Sequence, residues 1–234
     1  SSKMSTCLKI NRLRISGHCH REIAFTDGLN IIEGDNGLGK TTLMRLLQFG
    51  LGVERPFQTP EWRGVLIPEL KDSKSVLVEI EVNNRVITLK RELKQLNTVK
   101  VSSNAMDDFV YNNADYFIRD QEFSDFLLSS LNIPPVEVHS QSGGQSRTLK
   151  LSLDHLYRMI YLDQDLGYMS IGNSLPDDLR QAVTELLLNI INVEYYDLQI
   201  AEQVEKNRRA QLRQQLQHVQ NFVEKLRLLS AIEI

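Results

Sequence analysis

Residues 34 to 42 read Gly-Asp-Asn-Gly-Leu-Gly-Lys-Thr-Thr, which sets Gly34, Gly39, Lys40 and Thr41 in the spacing Gly-x-x-x-x-Gly-Lys-Thr. No other stretch narrows so far what the chain can fold into. Glycines at these places let successive backbone N–H groups turn inward and form a nest for phosphate oxygens. Leu43, Met44, Leu46, Leu47 and Phe49 follow at helical spacing, so the nest sits at a helix N-terminus, which itself attracts anions. Leu29-Asn-Ile-Ile-Glu33, just ahead, is short, apolar and partly β-branched, the pattern of a buried strand. Strand, glycine loop and helix together predict a phosphate-binding loop. Gly34, Asp35, Asn36, Gly37, Gly39, Lys40, Thr41 and Thr42 would surround the phosphates, with the Lys40 ammonium on the β- and γ-phosphates and the Thr41 hydroxyl on Mg2+.

The rest of the chain divides by its turn breakers. Eight of the 12 glycines fall at or before Gly64 and all six prolines at or before Pro176, so residues 177 to 234 contain neither. A compact domain rarely runs so far without one, so two kinds of object are expected: a domain over residues 4–176 and one long helix over 177–234. Asp177 and Asp178 suit the positive end of that helix. Val183, Leu186, Leu187, Ile190 and Ile191 form a stripe expected to pack on a domain. Leu212, Leu216, Val219, Val223 and Leu226 then step at the spacing of a coiled-coil seam. Forty such residues project about 60 Å, and a lone helix with one apolar seam needs a partner helix.

Within the first region, Leu8 to Ile15 alternates with a phase shift and reads as a strand, followed by a short strand at Glu22 to Thr26 and a tight turn at Asp27-Gly28. Gly50 and Gly52 are expected to stop the helix after the glycine loop. Residues 53 to 74 read as a surface excursion. Val76–Val82 and Arg85–Lys90 form a hairpin about Asn83-Asn84, with Thr98–Val101 as a further strand. Residues 114 to 131 read as a helix ended by Pro134-Pro135, and Ser140 to Arg147 as a polar loop. Glu79 and Glu81 alternate with apolar residues and read as a solvated face. Arg85, Lys90, Arg91, Lys94 and Lys100 give the hairpin a basic bias that could meet DNA phosphates.

Composition excludes other classes. The 234 residues are 41% apolar and 24% charged with net charge -3, so no global basic field announces nucleic acid, and no apolar run approaches the ~20 residues of a membrane span. Cys7 and Cys19 lack metal-ligand spacing and read as reduced thiols. Ser1-Ser2-Lys3 before Met4 reads as an expression scar, and no signal peptide is expected.

Residues 7 to 48 resemble a known family. Leu8-Lys-Ile-Asn-Arg-Leu-Arg-Ile-Ser16, Ile23-Ala-Phe25 and Leu29 through Leu43 are similar to the N-terminal lobe of SMC/Rad50-type ATPases, which are ABC-class heads with a coiled coil inserted between two lobes. Asn36 before Gly37 and paired Thr41-Thr42 before a leucine carry the likeness. The resemblance implies an α/β fold, a P-loop ABC-type head lobe with a mixed sheet and an antiparallel β part, then a long coiled-coil helix. It implies ATP and Mg2+ as ligands, with Gln164 in Ile160-Tyr-Leu-Asp-Gln-Asp165 as the Q-loop glutamine on Mg2+ or the attacking water. The family's basic residue after the first strand has no clear match, Arg21 and His18 being the nearest.

Two assignments compete for residues 140 to 165. Ser142-Gly-Gly-Gln145 copies the core of an ABC signature, which would make this a compact ABC-type ATPase with Walker B near Leu156 to Asp163. The Q-loop assignment is preferred, because a signature needs a helix after it, a longer Walker B strand, a D-loop and a switch histidine. A non-hydrolysing interaction module is the remaining alternative. The resemblance implies an ATPase acting on DNA in repair, chromosome maintenance or anti-phage and plasmid defence. ATP-driven head dimerisation would be its switch. Its expected setting is the bacterial cytoplasm or nucleoid, away from membranes. Expected partners are DNA, a second head or the chain's own C-terminal lobe, and an effector subunit. The chain by itself is expected to hydrolyse ATP weakly, as half of a head with a truncated arm.

Overall fold

The phase shift in the first strand has a structural cause. β1 (Leu8–Gly17) pairs antiparallel with β3 (Ser73–Val82), and the register slips between Ile10↔Ile80 and Arg12↔Glu79. The extra residue, Asn11, is a β-bulge. It returns Leu13 and Ile15 to the face already used by Leu8 and Ile10, opposite Val78, Val76, Val82 and Ile80. Arg12 and Arg14 are thereby turned to the other face.

A computed structural model describes residues 8–17, 20–35, 39–53, 73–93, 95–109, 115–117, 120–142, 145–161 and 175–230. The chain divides into two units, residues 1–135 with 152–171, and residues 136–151 with 172–234.

The first unit is built on a six-stranded sheet in the order β2-β1-β3-β4-β5-β6, where β2 is Arg21–Ala24, β4 Arg85–Glu92, β5 Gln95–Ser102 and β6 Asp115–Phe117. Every pairing in it is antiparallel. The parallel part of the expected mixed sheet does not occur among the described residues. Asn83 and Asn84 both have positive φ (51° and 66°), the conformation of a two-residue hairpin turn, and they join β3 to β4 where the sequence predicts.

One face of the sheet is apolar. Leu13, Val76, Val78, Ile80, Leu89, Val99 and Val101 are buried there. The helix α1 (Lys40–Gly50) lies against it through Leu46, Leu47 and Phe49. Gly50 is the last helical residue, and its lack of a side chain is what permits the approach. A Cβ there would stand 2.3 Å from Val78 Cγ2. The stop itself is Gly52, at φ 94°. Its N–H donates to Phe49 O and that of Val53 to Gln48 O, the paired bonds of a Schellman cap.

The other face is polar yet covered. Glu79, expected on a solvated face, is 6% exposed. Arg12 reaches it through Nη2 at 2.7 Å and Nε at 3.3 Å, and the Met106 N–H donates to Glu79 Oε2 at 2.8 Å. Arg12 and Arg14 also hold Glu22 and Asp107, pinning the short 3-10 turn Met106–Asp108 onto the sheet. The Arg12 hydrogen bond holds the Glu79 carboxyl below the ordinary carboxylate range, against the opposing effect of burial.

The expected helix over 114–131 divides into β6 and α2 (Asp120–Ser130). Asn132 ends α2 before the prolines, at φ 55°, with bonds from Asn132 N–H to Ser129 O and Ile133 N–H to Leu128 O. α3 (Leu153–Ile160) starts after Ser152, and its first amide, Leu153 N–H, donates to the buried Ser124 of α2 at 2.9 Å.

The second unit contains the hairpin β7 (Glu137–Ser142) and β8 (Gln145–Lys150), on whose β7 strand two helices pack. The polar loop expected over 140–147 is thus largely strand. The helix expected to run unbroken from residue 177 is two helices, α4 (Asp177–Leu187) and α5 (Val193–Ser230). Asn189 breaks it at φ 56°. Its N–H donates to Leu186 O and that of Ile190 to Glu185 O, a third Schellman cap. Asn192 restarts the helix by accepting the Tyr195 N–H on its side chain. The predicted stripe accordingly splits. Val183 is buried with Leu179 and Ala182, while Leu187 and Ile190 are exposed. Buried Tyr196 ties α5 to α4 by donating to Glu185 at 2.7 Å. Leu212, Leu216, Val219 and Val223 of the predicted seam are exposed along α5.

Candidate nucleotide site

The glycine loop meets α1 at Gly39, the helix N-cap, whose φ of 84° and ψ of 16° lie in the left-handed region. A Cβ at Gly39 would meet nothing within 4 Å, so glycine is required there by backbone conformation and not by space. Leu43 N–H donates to Gly39 O at 2.8 Å and opens the helical ladder. The amides that begin α1 have no earlier carbonyl within the helix, and they are free to point at an anion.

Lys40 turns back across the loop. Its Nζ donates to Gly34 O at 2.5 Å and to Asp35 O at 2.9 Å. The first and last parts of the motif are thus drawn together by one ammonium, with residues 36–38 between them. Thr41 is exposed on the first turn, and Thr42 is half-buried. Of the predicted site residues, Gly34, Asp35, Gly39, Lys40, Thr41 and Thr42 are among the described residues, and Lys40 ties Gly34 and Asp35 to the start of α1. Asn36, Gly37 and Gln164 lie outside the described residues, as does His18.

The segment leading into the loop departs from expectation. Residues 29–33, read as a buried strand, pair with no strand among the described residues. Leu29 is 86% exposed, Ile31 72% and Ile32 38%. The turn before them is well made. Thr26 N–H donates to Asn30 Oδ1 at 2.8 Å, Asn30 Nδ2 returns to Thr26 O at 2.9 Å, and Gly28 takes a positive φ of 84°. The apolar residues are thus delivered by an ordered turn to a place with no cover in the described structure.

Two further expectations change. Ser142 pairs with Gln145 across the β7–β8 hairpin, so a strand follows Ser142-Gly-Gly-Gln145 where an ABC signature needs a helix. The compact-ABC assignment fails on that ground. Of the basic hairpin residues, Arg91 is 0% and Lys100 4% exposed, which removes both from contact with DNA. Arg85 remains exposed, Lys90 is half-buried over the Phe109 ring, and Lys94 lies outside the described residues. The burial of Arg91 is not legible in the sequence. A cation between Lys90 and Glu92 reads as surface unless the strand is known to be covered on both faces.

A left-handed Gly39, a helix N-terminus and a lysine that reaches back to the Gly34 and Asp35 carbonyls are what the described residues show of the predicted site. Over residues 7–233 the chain matches the family described as AAA domain (AAA_23), and it belongs to this SMC/Rad50-like ATPase family. It is also similar to the DNA replication and repair protein RecF of Tropheryma whipplei, with 43% identity over 51 residues, 21% of this chain. That match spans 14% of the RecF length. No solved structure matches the chain. The family is one of ATPases, which normally use ATP with Mg2+. No helix among the described residues is long and apolar enough to cross a membrane.

Proposed function

We propose that the chain is the ATP- and Mg2+-binding part of an SMC/Rad50-like head that works on DNA. Gly34 to Thr42 would wrap the triphosphate, Lys40 would neutralise the β- and γ-phosphates, and Thr41 would hold Mg2+. Gln164 would complete the metal and water site. The observation that carries this reading is the Lys40 ammonium lying 2.5 and 2.9 Å from the Gly34 and Asp35 carbonyls. It holds Gly34 and Asp35 close to the N-terminus of α1, where the phosphates would bind.

The head would be completed by further β-structure. Leu29, Ile31 and Ile32 are an exposed apolar run directly before the loop, and an unpaired run of that kind is a template for another strand. A second lobe, from the same protein or from a partner, would cover it. ATP would then join two completed heads, and α5 with its exposed seam would carry that change away as one side of a coiled coil. Work on DNA, in repair or in defence against phage and plasmids, is the corresponding output. Support for DNA comes from the family and from the similarity to a DNA replication and repair protein, RecF. The hairpin's surface charge contributes little.

Calorimetry with Mg-ATP tests the core of the reading. The wild-type chain should bind, and Lys40→Ala should weaken binding at least about tenfold, because a charge-assisted contact to phosphate is lost. Hydrolysis by the chain alone should stay near background. A heat-silent wild type, or unchanged affinity in Lys40→Ala, would sink the assignment.

A further inference from the structure

α1 carries no basic residue in its own last turn, although a helix C-terminus concentrates partial negative charge. The cation is supplied from the sheet. Arg91 of β4 is fully buried within the apolar face, opposite Val76 and Val99. Its Nη1 donates to Phe49 O at 2.7 Å, and its guanidinium carbon lies 4.2 Å from the Phe49 ring centroid. Phe49 O already accepts the Gly52 N–H of the helix cap, so Arg91 takes its second lone pair. One residue on, Gly50 faces Val76 and Val78 so closely that a Cβ would meet them at 3.3 and 2.3 Å. The buried stretch of α1 is Leu46 to Gly50, whereas Lys40 to Arg45 are half-buried or exposed. The helix is fastened at the end away from the glycine loop.

We propose that Arg91 is a positioning residue for the nucleotide site. Acting through Phe49, it fixes the axial position and tilt of α1, and so sets where Gly39, Lys40 and Thr41 present their donors. This rests on the reading of Gly34 to Thr42 as a nucleotide site. An arginine suits the task because its planar guanidinium stacks on the ring and donates to the carbonyl at once, which an ammonium cannot do. The lever is a rigid one. α1 spans about 16 Å over its 11 residues, so a small tilt at Phe49 moves the Lys40 end by a larger distance.

The test compares the wild-type 234-residue chain with Arg91→Met, Arg91→Lys and Leu89→Ala. Mg-ATP affinity by calorimetry is measured together with the thermal midpoint, at a temperature where every variant is folded. Leu89 is buried in the same strand but does not touch the helix end by hydrogen bond, so it controls for stability loss alone. Arg91→Met should weaken Mg-ATP binding about tenfold, Arg91→Lys should recover part of it, and Leu89→Ala should lower the midpoint with affinity kept within about twofold. Amide exchange without nucleotide should speed up at Leu43 to Leu46 in Arg91→Met while β3 amides stay protected. Arg91→Met with unchanged affinity, or Leu89→Ala weakening binding as much, would overturn the positioning role while leaving the nucleotide site intact. A wild-type chain that binds no Mg-ATP would overturn both.

Discussion

β3 and residues 29–33 are written in the same chemical language and end in opposite surroundings. Each is a short run of valine, isoleucine or leucine beside a turn. In β3, Val76, Val78 and Ile80 are 0% exposed, whereas Leu29 and Ile31 are 86% and 72% exposed. The difference lies in neighbours and not in side chains. β3 has β1 on one side, β4 on the other and α1 over its apolar face, while residues 29–33 have no strand partner among the described residues. An apolar run therefore states that it needs cover, and it does not state which part of which chain provides it.

The largest expected effect breaks the two apart. Ile80→Ala should destabilise the first unit by about 2–5 kcal/mol, as buried large-to-small changes do. Ile31→Ala should cost under about 0.5 kcal/mol in the chain alone, as exposed substitutions usually do. Urea unfolding of both variants gives the comparison directly. Equal losses would mean that residues 29–33 are covered in solution, and the contrast would collapse.

The polar face of β3 gives the next effect. Glu79 accepts from Arg12 and from the Met106 amide, so Glu79→Ala leaves that amide without its acceptor and takes from Arg12 one of its three carboxylate partners, Glu22 and Asp107 remaining. The loss should be about 1–3 kcal/mol, as when a buried hydrogen-bonding group loses its partner. The sign of its pH dependence follows from the lowered carboxyl. Its ordinary value is 4.5 and its folded value lies below that, so the stabilisation is complete above pH 4.5 and is lost as pH falls through the folded value. Stability measured against pH should therefore show the gap between wild type and Glu79→Gln narrowing on the acid side. A gap that stays constant to low pH would remove Glu79 from the network's titration.

These cases indicate which features could be read before the structure. Features coded by adjacent residues were legible: the helix that follows Gly39, the Asn83-Asn84 turn and the phase shift that became the Asn11 bulge. Features that depend on what lies across the fold were not. Glu79 alternates like a solvent-facing residue because its partner Arg12 is 67 positions away. Arg91 reads as surface because Phe49 and the sheet's cover are remote in sequence. The broken helix is a different kind of miss. Its signal is local, but it is written in asparagine and not in the commoner breakers glycine and proline.

Asparagine at 132 and at 189 fills the role that Gly52 fills after α1, a left-handed residue that closes the helix on its own carbonyls. Asn189 is the sharpest case of structure set by local chemistry alone, and so the far pole from residues 29–33. Replacing it separates conformation from contact. Asn189→Gly should change stability by no more than a few tenths of a kcal/mol, since glycine enters the left-handed region freely. Asn189→Ala should cost about 1–2 kcal/mol if the break is kept, because an ordinary side chain resists that conformation. If the break is not kept, α4 runs on into α5 and helical content rises. Circular dichroism with thermal unfolding distinguishes the two. Alanine and glycine variants alike in both stability and helicity would show that the elbow is set by packing around Tyr196 and Glu185, and that Asn189 merely tolerates it.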